Sequence, residues 1–316
     1  MPTSEVAVAA DRRQQTPAGR PEQAPAGHQE QTPAGHQEQT PAGRPEPVIR
    51  AEAVVAGYGA AIIVREVSIT AGPGEVVTVV GPNGSGKSTL LKTLAGLITA
   101  RAGHIWHGDA DVTALPAEAR ARRGIAYLPQ EREVFASLTV RENLLMGGYG
   151  LSRRALKAAL ERAHGTYPAL SHLARTPAGR LSGGERKTVA LARVMMSSPS
   201  VVLLDEPTAS LAPMPSAQLL EQDVPALAAA GVAVILVEQR AVQAIAVSDW
   251  VYVLVGGAVE LHGQAREIGA RGDIGAVFLG ANSDHAAVSG GAPLPGPAGD
   301  TEPGGNAAVS QEEAPQ

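Results

Sequence analysis

Gly81-Pro82-Asn83-Gly84-Ser85-Gly86-Lys87-Ser88-Thr89 follows the apolar run Val76 to Val80 and precedes Leu90, Leu91, Leu94 and Leu97, which recur at helical spacing. The stretch reads as strand, loop and helix. Its glycines permit backbone angles closed to other residues, so successive N–H groups can turn inward and surround phosphates at a helix N-terminus. Lys87 is placed to supply a point charge to the β- and γ-phosphates of a nucleotide, and Ser88 a hydroxyl to Mg²⁺.

Downstream, Val201-Val202-Leu203-Leu204-Asp205-Glu206 reads as a buried parallel strand whose carboxylates emerge at its C-terminal end, where open α/β sheets place their chemistry. Asp205 is expected to reach Mg²⁺ directly or through water. Glu206 is expected to polarise the attacking water, because a carboxylate within hydrogen-bond reach can accept its proton as the γ-phosphate leaves. Between the two motifs lies Leu181-Ser182-Gly183-Gly184-Glu185, opening a helix that Ser182 can cap, with Leu191, Val194 and Met195 as its apolar stripe. The exposed N–H groups there can hold a phosphate, yet the Lys87 loop already holds one. The economical reading is an anion site that serves a nucleotide bound to another subunit.

These residues, in this order, resemble the ATP-binding cassette ATPases, over about residues 47–280. The resemblance implies an α/β fold of the P-loop NTPase class, with a RecA-like parallel-sheet core, an antiparallel β subdomain and a helical subdomain carrying the signature. It narrows at Gly57-Tyr58-Gly59, at Val134 to Leu144, at Ser210-Leu211-Ala212-Pro213 and at Leu236-Val237-Glu238-Gln239. These segments are similar to the ATPase subunits of branched-chain and hydrophobic amino-acid importers of the LivF type, and by the same marks to the urea and short-amide importers. The resemblance implies that Tyr58 stacks on adenine, a task for which a flat aromatic face suffices. It implies that Gln130, in Tyr127-Leu128-Pro129-Gln130, senses Mg²⁺ and the γ-phosphate beside the surface met by membrane permease subunits. Many LivF-type chains have glutamate there, so Gln130 lies closer to the general cassette pattern.

Two further departures from that general pattern are Ala212, where most cassettes have aspartate, and Gln239, where most have histidine. Both resemble the LivF type. A glutamine can still donate a hydrogen bond to a γ-phosphate, but it cannot titrate near neutral pH. The other reading of Gln239 is a polar cap on the helix through Ala241 and Ile245.

The resemblance implies two ATPase subunits, identical or homologous, facing head to tail, with each ATP held between one chain's Lys87 loop and the other's signature. It implies an importer for branched-chain amino acids or a related small solute, with membrane permeases as partners and an extracytoplasmic solute-binding protein acting indirectly. The expected location is peripheral, on the cytoplasmic face of the cell membrane. Two competing readings are an exporter ATPase and a nucleotide-gated clamp on RNA, DNA or the ribosome.

The flanks differ in kind. Residues 1–46 hold four tandem octapeptides similar to Gln-Thr-Pro-Ala-Gly-His-Gln-Glu, beginning at Gln15, Gln23, Gln31 and Gln39. Their period is far shorter than a solenoid unit and their composition offers little to bury, so a disordered arm is expected. Residues 281–316 read as a disordered acidic tail rich in Ala, Gly and Pro, without Lys or Arg. The chain carries −5, of which the first 46 residues contribute −2 and the tail −5, leaving the centre at +2. Such a balanced centre lacks the basic footprint of a nucleic-acid binder. There is no cysteine, hence no disulfide or thiolate chemistry. His104 and His107, flanking Trp106 on an expected strand, read as surface histidines. The nearly apolar stretch Ala226 to Val237 is too short for a membrane span and divides at Gly231.

Strands are expected near Ile49 to Val55, Ile62 to Thr70, Val76 to Val80, Val201 to Leu204, Val232 to Val237 and Trp250 to Val255, with Ala258 to Leu261 closing a hairpin through Gly256-Gly257. Helices are expected near Pro116 to Arg123, Val140 to Met146, Ser152 to His164 and Ser216 to Ala230.

Overall fold

Successive residues of the central strands enter apolar clusters on opposite faces, which divides the domain into layers. In β7 (Val201–Asp205), Val201 and Leu203 join one apolar cluster while Val202 and Leu204 join another. Strand β8 (Ala233–Val237) does the same, with Ala233, Ile235 and Val237 on one side and Val234 and Leu236 on the other. Both faces of the sheet are therefore covered, which is why these strands read as continuous apolar runs. The structure, a computed structural model, describes residues 44–271. The expected acidic tail, and the arm up to residue 43, lie outside the described residues.

The main sheet has six strands in the order β10-β9-β3-β8-β7-β6, with β3 at Val76–Val80, β6 at Ile125–Leu128, β9 at Trp250–Val255 and β10 at Ala258–Gln264. Its pairings are parallel except that of β9 with β10, which turns through Gly256 and Gly257 at positive φ as a tight hairpin requires. A separate antiparallel sheet runs β2-β1-β4-β5, from β1 (Ile49–Tyr58), β2 (Ala61–Ala71), β4 (Ala102–His107) and β5 (Ala110–Asp111). Helix α1 (Lys87–Leu94) belongs to the cluster shared by the two sheets, through the fully buried Leu90, Leu91 and Leu94. Burying three leucines contributes about 5 to 8 kcal/mol of apolar transfer, and it fixes the helix whose first residue is Lys87.

The far end of α1 is fastened by Arg120 in α2 (Ala117–Arg122), a residue the sequence does not flag. It is fully buried, and donates to the carbonyls of Thr93 and Leu94 at 2.7 and 2.8 Å and to those of Thr113 and Leu115 at 2.8 and 3.0 Å. Burial pushes its guanidinium down to about 10. A charge that close to the last carbonyls of a helix also complements the helix dipole.

The helical subdomain comprises α3 (Val140–Gly147), α4 (Arg153–Thr166), α5 (Ala169–His172) and α6 (Gly183–Met195), around Val140, Leu144, Leu170, Leu181, Val189 and Met196. The expected single helix over 216–230 is instead α7 (Pro213–Gln218), a π-helical turn at Leu219–Asp223 and α8 (Val224–Ala229). Pro225 has no N–H to give to the carbonyl one turn back and would collide with it, and the widened turn relieves both problems. Strand β6 was not among the expected strands. It is four residues long and stops at Pro129, and only its pairing with β7 defines it. Short helices α9 (Ala241–Ala246) and α10 (Ala265–Gly269) close the other edge. His107, expected on the surface, is half-buried with Nε2 2.8 Å from Ser200 Oγ, whereas His104 is exposed beside Asp111. No helix among the described residues is long and apolar enough to cross a membrane.

Candidate functional site

The loop after β3 turns back tightly enough that a side chain at Gly81 would place Cβ 2.1 Å from the Leu254 carbonyl oxygen. Gly86, the residue before α1, holds φ at 100°, which a residue with a Cβ rarely adopts. The loop therefore presents its backbone at a helix N-terminus. Within it the Ser85 hydroxyl is buried and has no hydrogen-bond partner among the described residues. An orphaned buried hydroxyl in a concave backbone loop is a cradle of the right chemistry for phosphate oxygens. Lys87, only 4% exposed, donates to the carbonyls of Gly81 and Pro82 at 2.9 Å each. Burial lowers its pKa, while Glu206 and Asp205 oppose the shift.

Strand β7 delivers Asp205 beside this loop, at 2% exposure. Ser88 Oγ donates to Asp205 Oδ1 at 2.8 Å, and the Tyr127 hydroxyl donates to Oδ2 at 2.8 Å. Both carboxylate oxygens are thus oriented. Tyr127 comes from β6, one strand over, and its registry opposite Leu203 puts its ring at the carboxyl end of the sheet. Burial foremost, then Asp205 and least Tyr58, push its phenol far above the ordinary tyrosine range, so it stays a donor. Within Tyr127-Leu128-Pro129-Gln130 the sequence marks only Gln130 with an expected role. Nothing local marks Tyr127, because its partner lies 78 residues away.

Glu206 follows with φ at 44°, an unusual angle for a residue with a side chain. Such a residue costs about 1 to 3 kcal/mol unless its surroundings hold it. Here its N–H donates to the Val237 carbonyl at 2.9 Å, pinning the turn to β8. Its Oε2 accepts from Gln130 Nε2 at 2.9 Å. Burial raises its pKa; Lys87 opposes this, and Asp205 and Glu238 add to it. A half-buried carboxyl with a raised pKa is a stronger proton acceptor once ionised.

Gln239, just past β8, reaches the phosphate loop itself, with Nε2 donating to Asn83 Oδ1 at 2.6 Å. Its predecessor Glu238 is 1% exposed and accepts from the Thr208 N–H at 2.9 Å, tying the end of β8 to the segment after Glu206. Tyr58 ends β1, half-exposed at 53%, opposite Ala61 of β2. Two residues further along β2, Ile63 lies against Gly86 of the loop.

The structure thus sets three hydrogen-bonded side-chain pairs, Ser88 with Asp205, Gln130 with Glu206 and Gln239 with Asn83, together with Lys87, at the carboxyl ends of β3, β6, β7 and β8. The segment Leu181 to Glu185 is apart from it. Ser182 caps α6 in a reciprocal box: its hydroxyl accepts from Glu185 N–H at 3.3 Å, and its N–H donates to Glu185 Oε2 at 2.8 Å. Gly184 packs against Pro215, and Ser182 and Glu185 are exposed. Among the described residues no hydrogen bond joins this cap to the Lys87 loop.

A phosphate loop, a paired Asp-Glu strand end and an outward-facing glycine cap on a helical subdomain define a P-loop nucleoside triphosphatase of the cassette type. Residues 64–209 match the family model described as ABC transporter. The chain is 38% identical over 221 residues to a protein named probable branched-chain amino acid transport ATP-binding protein LivF of Archaeoglobus fulgidus, covering 70% of this chain and 94% of that one. It is 40% identical over 205 residues to the high-affinity branched-chain amino acid transport ATP-binding protein BraG of Pseudomonas aeruginosa, covering 65% and 88%. The lipopolysaccharide export system ATP-binding protein LptB of Escherichia coli K12 is 33% identical over 239 residues, covering 73% and 97%. Among solved structures, the ADP conformation of an ATP-binding cassette superposes with a TM-score of 0.67 at 27% identity, covering 74% of this chain and 99% of that one. The chain belongs to the ATP-hydrolysing, ATP-binding subunits of ABC transporters.

Proposed function

We propose that this chain is the ATPase of an importer for branched-chain amino acids or a related small solute such as urea or an amide. It would work at the cytoplasmic face of the membrane beneath separate permease subunits, fed indirectly by an extracytoplasmic binding protein. The observation that carries the hydrolytic part is the convergence of Lys87, Asp205 and Glu206 at one loop. The solute class rests on the names of the LivF and BraG relatives and on the segments around Gly57 to Gly59 and Leu236 to Gln239. Export is the second reading, favoured by the 33% identity to LptB.

In the proposed reaction the free N–H groups of the loop from Gly81 to Thr89 and the Lys87 ammonium bind the phosphates, and Tyr58 stacks on the adenine. Ser88 and Asp205, with the Gln130 amide oxygen, would hold Mg²⁺; an all-oxygen set of this kind suits a hard cation. When bound, the metal would neutralise charge on the β- and γ-phosphates. Glu206 Oε2, oriented by Gln130, accepts the proton of the attacking water. Gln239, standing at Asn83, donates to the γ-phosphate as a neutral group. With the N–H groups of Leu181, Ser182 and Glu185 engaged within the chain, those of Gly183 and Gly184 would face the γ-phosphate held by a second subunit, identical or homologous. That role fits the absence of any hydrogen bond between this cap and its own chain's loop among the described residues.

Reconstitution with candidate permeases in vesicles tests the reading. A branched-chain amino acid, with its binding protein outside, should raise ATP turnover and accumulate inside. Turnover raised only by a lipid substrate moving outward would establish the export reading instead.

A further inference from the structure

Two helices beside the last turn of α6 leave a space between them. Helix α4 lines it with Ala159 and Ala163, and α8 with Ala226 and, just past its end, Ala230. Residues four apart share a helix face, and an alanine side chain is too short to reach the helix opposite. The result is a cavity of about 400 Å³, where a close-packed interior leaves few voids larger than a water molecule. Met195, Leu227 and Val232 continue its apolar lining. Val232 leads into the amino end of β8, which runs parallel to β3, so the cavity lies at the opposite end of the sheet from the phosphate loop.

Two opposite charges line the same space. Asp223 ends the π-helical turn on the core side, and Arg162 comes from α4 on the other. The Arg162 guanidinium donates to Ser198 Oγ at 2.8 Å. Burial raises the Asp223 carboxyl above its ordinary range, and a hydrogen bond from the Tyr167 hydroxyl opposes the shift. Among the described residues neither charge has an ion-pair partner, and the two do not pair with each other. A partly buried carboxylate met only by a neutral donor gains from an ammonium group brought beside it. A guanidinium held by one hydroxyl keeps donors for a carboxylate. The lining therefore complements a molecule with an ammonium, a carboxylate and a short aliphatic group.

Pro225 accounts for the widening of the helix but not for the carboxylate that ends the widened turn. Such turns recur at functional sites. Here the turn places Asp223 at two cavities, because Asp223 and Leu219 also line a space of about 240 Å³ beside Ser182, Gly184 and Glu185 of the signature. We propose that the larger cavity binds a small aliphatic α-amino acid, with its carboxylate on Arg162, its ammonium on Asp223 and its side chain against Met195, Leu227 and Val232, and that the occupant acts on the signature cap through Asp223. A space of about 400 Å³ falls at the small end of ligand sites, which suits a molecule of leucine's size. A phosphorylated ligand would bring like charge against Asp223, and a fatty acid would leave Asp223 without a cation. The assignment rests on the cavity's own residues, so it stands or fails apart from the import reading.

Isothermal titration calorimetry of the full-length chain, with no permease present, tests the site. L-Leucine should bind. Isocaproate and isoamylamine, which lack its ammonium and its carboxylate in turn, should bind at least about ten-fold more weakly, as one lost charge-assisted contact implies. Asp223→Asn should lower leucine affinity about ten-fold and leave that of isocaproate unchanged, whereas Arg162→Gln should lower leucine affinity equally and leave that of isoamylamine unchanged. Ala226→Leu, at an exposed position on the cavity wall, should fill the space and abolish leucine binding with ATP affinity kept. Amide hydrogen exchange at residues 182–188 should change with leucine in the parent and not in Ala226→Leu. Failure of the parent to bind leucine, or equal binding by Ala226→Leu, overturns the site. Isoamylamine or isocaproate binding as tightly as leucine overturns the amino-acid assignment, in favour of a simple cation or a simple anion. Leucine that binds without altering exchange at residues 182–188 overturns the action on the signature.

Discussion

Replacing Tyr127 by phenylalanine removes one oxygen atom and tests whether the orientation of Asp205 matters to the metal rather than to the fold alone. The hydroxyl donates at 2.8 Å to a carboxylate that is 2% exposed, so water cannot easily take its place. A hydrogen bond to a charged group is worth about 1.5 to 3 kcal/mol, and about 2 kcal/mol of stability should be lost. A structural role would end there. If Tyr127 holds Asp205 Oδ2 so that Oδ1 and Ser88 face a cation, the variant should also lose metal coupling, for which loss of an outer partner costs about 10- to 100-fold. The assay is ATP affinity measured with and without Mg²⁺: the gain that Mg²⁺ confers should fall about ten-fold, or 1.4 kcal/mol, while affinity without the metal is nearly unchanged. A Mg²⁺-dependent gain within about two-fold of the parent, alongside the expected loss of stability, would refute the positioning role and leave Tyr127 a core polar group.

Glu206→Gln should retain ATP binding, trap a closed dimer and lower turnover at least about 100-fold, since an amide accepts no proton. The raised pKa of Glu206 gives a sign as well: turnover should climb as pH rises through a value above that of a free glutamate, because only the ionised form is a base, and a midpoint at or below the free-glutamate value would contradict it. Gln239→Ala should slow hydrolysis about ten-fold, equivalent to one lost hydrogen bond to a charged group, and Gln239→His should add a pH dependence near pH 6 to 7, where imidazole titrates; both are measured in the assembled complex, and the parent rate in Gln239→Ala would reduce the residue to a helix cap. Deleting residues 1–43 and 281–316 should leave cooperative unfolding and ATP affinity nearly unchanged, whereas extending the first deletion through Arg44 should lower the unfolding midpoint by exposing the need of Glu75 for a cation; calorimetry of the two truncations distinguishes them.

What the sequence determined by itself was chemistry confined to short, contiguous stretches. The phosphate loop, the Asp205-Glu206 strand end and the Ser182 cap each depend on residues that are neighbours along the chain, so their spacing carries their function. The parallel strands were legible for a related reason, since burial on both faces leaves an unbroken apolar run. The tertiary structure decided what depends on partners distant in the chain. Tyr127 lies 78 residues from the carboxylate it orients, and Gln239 lies 156 residues from Asn83. Arg120 is an ordinary surface-type residue in the sequence, and only the packing of α2 on the end of α1 makes it a buried staple. Strand β6 is too short to announce itself without β7, and the π turn at Leu219 to Asp223 follows from fitting Pro225 into a helix held on the core. Arg44 makes the same point at the edge of the domain. In a repeat of Gln, Pro, Ala and Gly nothing local marks it for burial; a buried glutamate and a glycine in the turn between β2 and β3, two aromatic side chains of β9 and the Thr70 carbonyl of β2 make its place.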